Sequence, residues 1–200
     1  MKEVIEVKRD DLRELYQVLT NYPAISKEQV QNEMHKVFGE DTFKPKDITE
    51  RVKTFEDACR ELGEEHPFVS AYTAWIKHEE FDDQEDILAY MKLRIICAAL
   101  NEGWEPQFTE DEWRYYPWNI LWTEEELSEK SDEWKTDRHL ISTGEYQTDY
   151  AGLAFANSHY APSIAGAYVG SLLCLKSDTL AVYCGKQFIN IWADFYLIRK

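Results

Sequence analysis

Residues 87–100 restrict the fold most, because apolar side chains occur on nearly every side of the helix that this segment predicts. Large apolar residues stand at positions 87, 88, 91, 93, 95, 96 and 100. A helix that is apolar all round is buried all round, so other elements must cover each of its faces. Each large side chain that is fully buried there contributes about 1.5–3 kcal/mol before the entropy of ordering is subtracted.

The last thirty residues predict a second pair of buried elements. Residues 170–177 are typical of a buried strand, and residues 178–197 predict a long helix with apolar positions at three- and four-residue spacing. Both elements need cover from earlier parts of the chain. We therefore expect the C-terminal helix to pack against the helix of residues 87–100.

Start signals divide the N-terminal half into short helices. Asp10 or Asp11 is the N-cap candidate of the first helix, and Ser26 predicts a capping box at the start of the second. A later helix has two candidate starts, because residues 47–50 form one possible capping box and Thr54 is an equally good cap. The sequence leaves these two starts open.

Composition divides the chain into a small helical unit, residues 1–40, and a larger domain, residues 47–200. The first unit opens with a possible edge strand at residues 3–8. Residues 123–136 are acidic and compatible with helix, and they predict a solvated insert in the larger domain. Pro117 restricts the strand predicted at residues 115–122 to an edge or to a strand end, because proline donates no backbone hydrogen bond.

The remaining strand candidates lie after this insert, between turn-forming residues. They are residues 139–141, 152–157 and 167–176. Because a run of helices precedes the strands, the predicted class is α+β. The expected architecture is a helical N-terminal half, then a small, mostly antiparallel sheet and a long C-terminal helix.

Charge and cysteine usage limit the classes of partner and compartment. The net charge of −16 opposes binding to nucleic acid and to anionic membranes, and it favours either solubility alone or a basic partner. No apolar run is long enough to span a bilayer, and the N-terminus lacks the order of a secretion signal. The cysteines are far apart in apolar or helical contexts, which predicts reduced, buried thiols and a cytoplasmic protein. They are Cys59, Cys97, Cys174 and Cys184.

Several motifs in this chain together resemble those of one group of proteins. They include Lys53-Thr-Phe-Glu-Asp-Ala-Cys59, Tyr115-Tyr-Pro-Trp118 and Gly185-Lys-Gln-Phe188. With them the chain resembles uncharacterised proteins of gut Bacteroidetes and of their phages or mobile elements, over roughly residues 1–63 and 84–199. The resemblance implies a bacterial or phage cytoplasmic protein, and it implies no reaction because no activity is established for the group.

This chain departs from the pattern of that group in three places. Residues 64–83 and the acidic insert at residues 123–136 are its own. The relatives have a hairpin rich in Gly, Tyr and Ser before the last strand, where this chain has residues 152–160. Surface functions located on these loops therefore do not transfer from the group.

The sequence contains no motif for a cofactor. The eight glycines are scattered, so neither a phosphate loop nor a dinucleotide fingerprint is present, and no Cys-x-x-Cys or His-Glu-x-x-His pattern occurs. Carboxylates in residues 79–86, after His78, are a candidate for a hard cation, although their spacing does not match a calcium loop. The alternative is a solvated helix start, because acidic residues favour that end of a helix.

Two further positions have both a chemical and a structural interpretation. Cys174 with His159 or His139 is the one candidate for a cysteine nucleophile and its base, but its apolar neighbours are typical of a core cysteine. Lys186 interrupts the apolar face of the last helix beside Gly185. Lys186 is either exposed there or neutralises a carboxylate beside the aromatic strand, and Gly185 allows close helix packing.

An aromatic window between residues 104 and 122 is the candidate protein-binding surface. Its members are Trp104, Trp113, Tyr115, Tyr116, Trp118 and Trp122. These rings either pin the sheet onto the buried helix or form a platform for a partner. Acidic residues flank the window, which argues against stacking on nucleic-acid bases and favours a protein partner.

Three functional hypotheses follow from these patterns. The first is a non-enzymatic binding or accessory protein of phage or mobile-element origin. The second is an acidic decoy, which occupies a nucleic-acid-binding protein by presenting carboxylates where phosphates would lie. The third is a small enzyme with a site near Cys174 and His159.

Overall fold

The structure, a computed structural model, describes residues 7–24, 26–39, 42–77, 85–107, 109, 111–162 and 171–200. The chain divides into two compact units, Met1–Asp47 and Ile48–Lys200. The edge strand predicted at residues 3–8 lies almost wholly outside the described residues. Each unit is described separately below.

The first unit contains two helices, α1 (Arg9–Thr20) and α2 (Lys27–Phe38). Neither helix has a fully buried residue. An aromatic cluster joins them instead, with the Tyr16 ring 4.6 Å from Phe43 and 5.7 Å from His35, centroid to centroid. So small an apolar core limits the stability that this unit has by itself.

The N-termini of these two helices differ. The Ser26 side chain accepts a hydrogen bond from the Gln29 amide, as the sequence predicts. The prediction that Asp10 or Asp11 caps α1 is wrong, because the helix starts after Lys8 without a side-chain cap. Both aspartates lie inside the first turn, where their charge still interacts favourably with the helix dipole.

The second unit contains eight helices and three strands among its described residues. The helices are α3 (Ile48–Arg51), α4 (Phe55–Leu62), α5 (Pro67–Trp75), α6 (Glu85–Asn101), α7 (Glu124–Ser128), α8 (Asp132–Asp137), α9 (Asp178–Gln187) and α10 (Ile189–Tyr196). The strands are β1 (Trp113–Trp122), β2 (Ile141–Ser142) and β3 (Gly152–Pro162), in the antiparallel order β1-β3-β2. This arrangement confirms the predicted α+β class.

Helix α6 is the centre of the main core. Leu93, Ile95 and Ile96 are fully buried, whereas Ile87 in the first turn is exposed, so the expected burial on all sides holds for the later turns alone. Helices α4, α5 and α10 pack against α6, which confirms its predicted contact with the C-terminal helical segment. The helix ends before Gly103, which has a positive φ of 82° that favours glycine.

The capping signal at Thr54 starts α4. The Thr54 hydroxyl accepts from the Asp57 amide, and the Asp57 carboxylate accepts from the Thr54 amide. This reciprocal pair is a capping box, and it shows which of the two candidate starts begins α4. Residues 48–51 form the separate short helix α3.

The segment before α9 is not the strand that its composition predicts. Its described part is a 3₁₀ turn, Ser171–Leu173, followed by a single bridge between Leu175 and Tyr115. The Asn101 amide donates to the Cys174 carbonyl at 2.8 Å and accepts from the Lys176 amide at 3.0 Å. A side chain of α6 thus satisfies backbone groups that a neighbouring strand would otherwise pair.

The predicted long C-terminal helix is two helices, α9 and α10, because Phe188 between them is not helical (φ −113°, ψ 26°). The break lets α9 pack on the sheet while α10 packs on α6. Gly185 lies so close to the sheet that an added Cβ would be 2.5 Å from Pro117 and 2.6 Å from Phe155. The close helix packing predicted for Gly185 is therefore confirmed.

Strand β1 lies at the edge of the three-stranded sheet, as Pro117 requires. It pairs with β3 along its whole length, and the register shifts between Trp118 and Asn119. The strand predicted at residues 139–141 begins later, at Ile141, because His139 lies in a turn with a φ of 50°. The strand predicted at residues 152–157 continues to Pro162.

Candidate binding surfaces

The six aromatic residues of the candidate surface have different environments. Trp113 and Trp118 are exposed to 47% and 43%, and Tyr116 to only 2%. The three others, Trp104, Tyr115 and Trp122, are half-buried. Part of the window is therefore surface and part is core.

Two residues of β3 complete the exposed part. The Tyr160 ring lies 5.0 Å from Trp113, and the His159 ring lies 5.5 Å from Trp118, centroid to centroid. Both are exposed, Tyr160 to 56%. Neighbouring residues of a strand point to opposite faces, so the two ring pairs lie on opposite faces of the sheet, and the His159 and Tyr160 rings are 6.3 Å apart. We call Trp113, Trp118, His159 and Tyr160 the aromatic strip. The sequence alone does not predict that these two β3 residues join the exposed rings, because cross-strand neighbours depend on register.

Buried Tyr116 holds the middle of the strip in place. Its ring stacks on His159 at 5.4 Å, and its hydroxyl lies 3.1 Å from His159 Nδ1. Stacking and this hydrogen bond together fix the orientation of the imidazole. An exposed ring that is already ordered loses less entropy when a partner covers it.

Acidic helices α7 and α8 follow directly after β1. Residues 123–137 contain seven carboxylates and two lysines. A capping box fixes the start of α7, and hydrogen bonds from Thr123 lower the pKa of Glu126. The exposed carboxylates of these helices belong to Glu124, Glu125, Glu126, Glu129, Asp132, Glu133 and Asp137.

The acidic insert is not simply solvated, because one face packs on β1. The rings of Trp122 and Trp134 meet edge to face at 5.0 Å. The ammonium group of Lys130 lies 4.9 Å from the Trp122 ring and 5.6 Å from the Trp134 ring. Two indoles of this chain therefore already hold a cation by cation–π attraction.

Lys186 has the more specific of its two predicted roles. Its ammonium group pairs with Asp137 at 3.0 Å and lies 5.8 Å from the Phe155 ring of β3. The ion pair lowers the pKa of the Asp137 carboxyl. Lys186 thus links α9 to the end of the acidic insert, beside the sheet.

A cavity of about 520 Å³ opens beside the C-terminal end of α6, with half-buried Trp104 in its wall. The wall is mainly apolar, with contributions from Leu62, Phe68 and Ala98. The exposed carboxylate of Glu105 lies on the same lining. We call this space the Trp104 cavity.

A second cavity, of about 300 Å³, lies between the sheet and the C-terminal end of α10. Asn119, Leu121, Leu153 and Tyr196 are among its lining residues. Within the part of the chain that is described, both amide atoms of Asn119 are buried without a hydrogen-bond partner. A buried polar group without a hydrogen bond lowers the free energy of unfolding.

The surroundings of Cys174 do not favour a nucleophile. Its side chain is buried, and burial raises the pKa of the thiol. A catalytic thiolate requires the opposite shift. His159, the proposed base, has its Nδ1 beside the Tyr116 hydroxyl, and His139 is exposed in a turn.

Two further predictions from the sequence concern a cation site and a membrane span. In the described ranges no three His, Cys, Asp or Glu residues form a group that could hold a metal ion. Most of the carboxylate cluster at residues 79–86 lies outside those ranges. No described helix is long and apolar enough to cross a membrane.

All four cysteines are in the thiol form, with Cys97, Cys174 and Cys184 buried and Cys59 partly buried. Comparisons with protein-family models, curated proteins and solved structures find no match for this chain. Its function must therefore be inferred from its own surfaces.

Proposed function

We propose that this chain is a binding protein that holds a basic, extended segment of another protein on the aromatic strip. The observation that carries the proposal is the two exposed ring pairs between β1 and β3, Trp113 with Tyr160 and Trp118 with His159, together with the acidic helices that follow directly after β1. Trp118 is the member of the aromatic strip nearest to the acidic helices along the chain, and its ring contacts His159.

The exposed rings provide the contact energy in this proposal. Trp and Tyr are enriched among the residues that dominate protein interfaces, and removing such a residue often costs more than 1 kcal/mol. Arginine and lysine also bind aromatic faces, as Lys130 does within this chain at Trp122. A segment that alternates aromatic or apolar residues with arginine suits both features.

The acidic helices determine the charge of the partner. A negative field attracts a basic segment, increases its association rate and repels nucleic acid. From Trp113 to the first turn of α7 the chain advances about 11 residues, or about 36 Å in an extended strand. A partner segment of about that length covers both the strip and the carboxylates.

The biological setting is part of the same proposal. The similarity of the motifs at residues 53–59, 115–118 and 185–188 to proteins of gut Bacteroidetes and their phages supports a bacterial or phage accessory protein. Cysteines that are all in the thiol form are consistent with a reducing cytoplasm. The partner is then a basic protein that is present in that compartment.

The test measures binding of a labelled peptide of about 11 residues that alternates arginine with tyrosine, by fluorescence anisotropy at two salt concentrations. A peptide with glutamate in place of arginine is the charge control. We expect Trp118→Ala to weaken binding about fivefold or more. Tyr150→Ala is the matched control, because Tyr150 is exposed to 44%, similar to Trp118, but lies outside the strip.

Charge variants separate the role of the acidic helices from that of total charge. Exposed Glu124, Glu125 and Glu129 changed together to glutamine should weaken binding and reduce its salt dependence. The same number of changes at exposed Glu28 and Glu33 of α2 and Glu64 is the matched control. Equal effects of both sets, or no effect of Trp118→Ala, would contradict the proposal.

The density of carboxylates in α7 and α8 favours a decoy as the second candidate function. Here the acidic helices replace phosphates in a nucleic-acid-binding protein, and the aromatic strip contributes little. Competition with DNA for a basic DNA-binding protein measures this directly. Loss of competition in the glutamine variants, with full competition by Trp118→Ala, would favour the decoy over the aromatic strip.

A further inference from the structure

Trp104 differs from five other tryptophans of the described residues in its aromatic contacts. Each of the others lies against another aromatic ring; they are Trp113, Trp118, Trp122, Trp134 and Trp192. No ring of the described residues stacks on Trp104, and its half-buried indole lines the larger of the two cavities described above. A large apolar ring in a cavity wall that has no aromatic partner is a contact surface for a ligand.

The lining also determines which ligand fits. Glu105 is the one carboxylate among the residues that line the cavity, which also include the imidazole of His66, and no ion pair of Glu105 is found in the described part of the chain. Leu62, Phe68, Ala98 and Leu172 form apolar walls. The volume of about 520 Å³ lies within the range of pockets that bind small molecules.

The cationic side chains nearest the cavity already have partners within the chain. The guanidinium carbon of Arg94 lies 4.1 Å from the centroid of the Phe68 ring. Glu102, next to the cavity residues, pairs with Arg51 and with Lys176 at 2.8 and 2.9 Å. These cations are already held, whereas the indole of Trp104 and the carboxylate of Glu105 are available to an incoming one.

We propose that the Trp104 cavity binds a small organic cation with an apolar body, such as an alkylammonium compound. The apolar part contacts Leu62, Ala98 and Leu172, the cationic head lies against the Trp104 indole, and Glu105 supplies the opposite charge. Cation–π attraction at an indole together with a carboxylate is a recurrent way of recognising quaternary ammonium groups. This site is separate from the aromatic strip.

The test uses the full chain and titrates hexyltrimethylammonium, with hexanol as the neutral control and hexanoate as the anionic control. Chemical shifts of the Trp104 indole N–H report binding by NMR, and the signal is assigned by its loss in Trp104→Leu. We expect saturable binding of the cation, about tenfold tighter than that of hexanol, and no measurable binding of hexanoate. Equal binding of the cation and hexanol, or no saturation, would overturn the proposal.

Variants locate the site. Trp104→Leu keeps an apolar wall and should weaken binding of the cation about tenfold, measured by calorimetry. Glu105→Gln should weaken it about threefold and remove most of its salt dependence. Tyr150→Leu and Glu33→Gln, changes of exposed residues outside the cavity and the aromatic strip, should leave affinity unchanged; an equal loss in these controls would overturn the location.

A peptide containing trimethyllysine tests the source of the cation. It presents the same head group on a protein chain. Tighter binding of this peptide than of hexyltrimethylammonium would overturn the assignment to a small molecule. Weaker binding of the peptide supports it, because the apolar walls then favour the alkyl chain of the small cation. Circular dichroism of each variant establishes that it is folded.

Discussion

The main core around α6 and the sheet formed by β1 and β3 use their apolar residues in opposite ways. In the core, Leu93, Ile95 and Ile96 are fully buried. On the sheet, Trp113, Trp118 and Tyr160 remain about half exposed although they are larger. Burial of aliphatic residues stabilises the fold, whereas exposed rings contribute little to it and are available to a partner.

The buried side-chain amides of the two regions also differ, in how many hydrogen bonds they form. Asn101 at the end of α6 uses its amide fully, with hydrogen bonds to the Cys174 carbonyl and from the Lys176 amide. Asn119 on β1 has buried amide atoms without such bonds among the described residues. A satisfied buried amide specifies one packing arrangement, while an unsatisfied one leaves its site less stable. Mutations in the two regions should therefore have different costs.

The largest expected loss of stability is in the main core. Leu93→Ala should lower the free energy of unfolding by about 2–5 kcal/mol, because it leaves a cavity in a fully buried position. Urea unfolding followed by circular dichroism measures this loss. A cost below about 1 kcal/mol would show that the α6 core relaxes far more easily than close packing allows.

A paired experiment at Asn101 and Asn119 tests the contrast between polar groups. Asn101→Ala leaves a backbone carbonyl and a backbone amide without their partner, at about 1–3 kcal/mol for each group. Asn119→Ala removes unsatisfied atoms and should cost less than 1 kcal/mol, or stabilise the protein. Urea unfolding of both variants provides the comparison, and equal losses would contradict it.

A second hydrophobic cluster, in which Tyr146 packs with Leu153 and Phe155 of β3, should respond to high pH through Tyr146. Its hydroxyl donates to Asp194 at 2.7 Å, and burial together with this carboxylate raises the pKa of Tyr146 to about 12. The unfolded phenol titrates near pH 10. The folded state thus keeps a proton that the unfolded state loses, so stability is complete below pH 10 and falls as the pH rises to 12.

The loss over that pH interval should reach about 2 kcal/mol. Tyr146→Phe should be less stable at neutral pH, because it lacks the hydrogen bond to Asp194, and should show a smaller decrease between pH 10 and 12. Thermal unfolding at several pH values measures both effects. Tyr22→Phe is the control, since Tyr22 is exposed. The same pH dependence in Tyr146→Phe and the parent would contradict this assignment.

Gly185 joins the two regions, because it brings α9 against Pro117 and Phe155 of the sheet. Gly185→Ala should destabilise the protein by about 1–3 kcal/mol through overpacking, less the gain of up to about 1 kcal/mol from alanine in a helix. Chemical unfolding measures the net effect. Gly144→Ala, where an added Cβ would meet its nearest atom at 3.5 Å, is the control. A stabilised Gly185→Ala would show that α9 can move away freely.

The smallest expected effect on stability is at the aromatic strip. Trp118→Ala should change the free energy of unfolding by no more than about 0.5 kcal/mol, because the ring is exposed. The same variant should weaken peptide binding about fivefold or more. Urea unfolding and anisotropy on one preparation give both values. A large loss of stability with unchanged binding would reverse the roles assigned to the two regions.

Local signals predicted several structural features correctly. The periodicity of residues 87–100 predicted α6, the Thr54 signal was one of two candidate starts for α4, and Pro117 predicted the edge position of β1. Each of these depends on backbone geometry or on the hydrophobicity of one segment. Such properties are present in the residues themselves before any tertiary contact forms.

Other features depend on partners that are far apart in the chain. The segment before α9 has the composition of a strand, but the Asn101 side chain takes its backbone groups. The break at Phe188 follows from α9 packing on the sheet and α10 packing on α6. Neither contact leaves a local signal, so both predictions failed for the same physical reason.

For the candidate sites too, some features follow from the sequence alone and others from the tertiary structure. The sequence alone determined that the chain is acidic, that aromatic residues concentrate between residues 104 and 122, and that α6 must be buried. Only the tertiary structure decided that Trp113 contacts Tyr160 and Trp118 contacts His159 across the two strands, while Trp104 lines a cavity. Composition acts through each residue's own hydration and charge, whereas exposure and neighbours depend on strand register and helix packing.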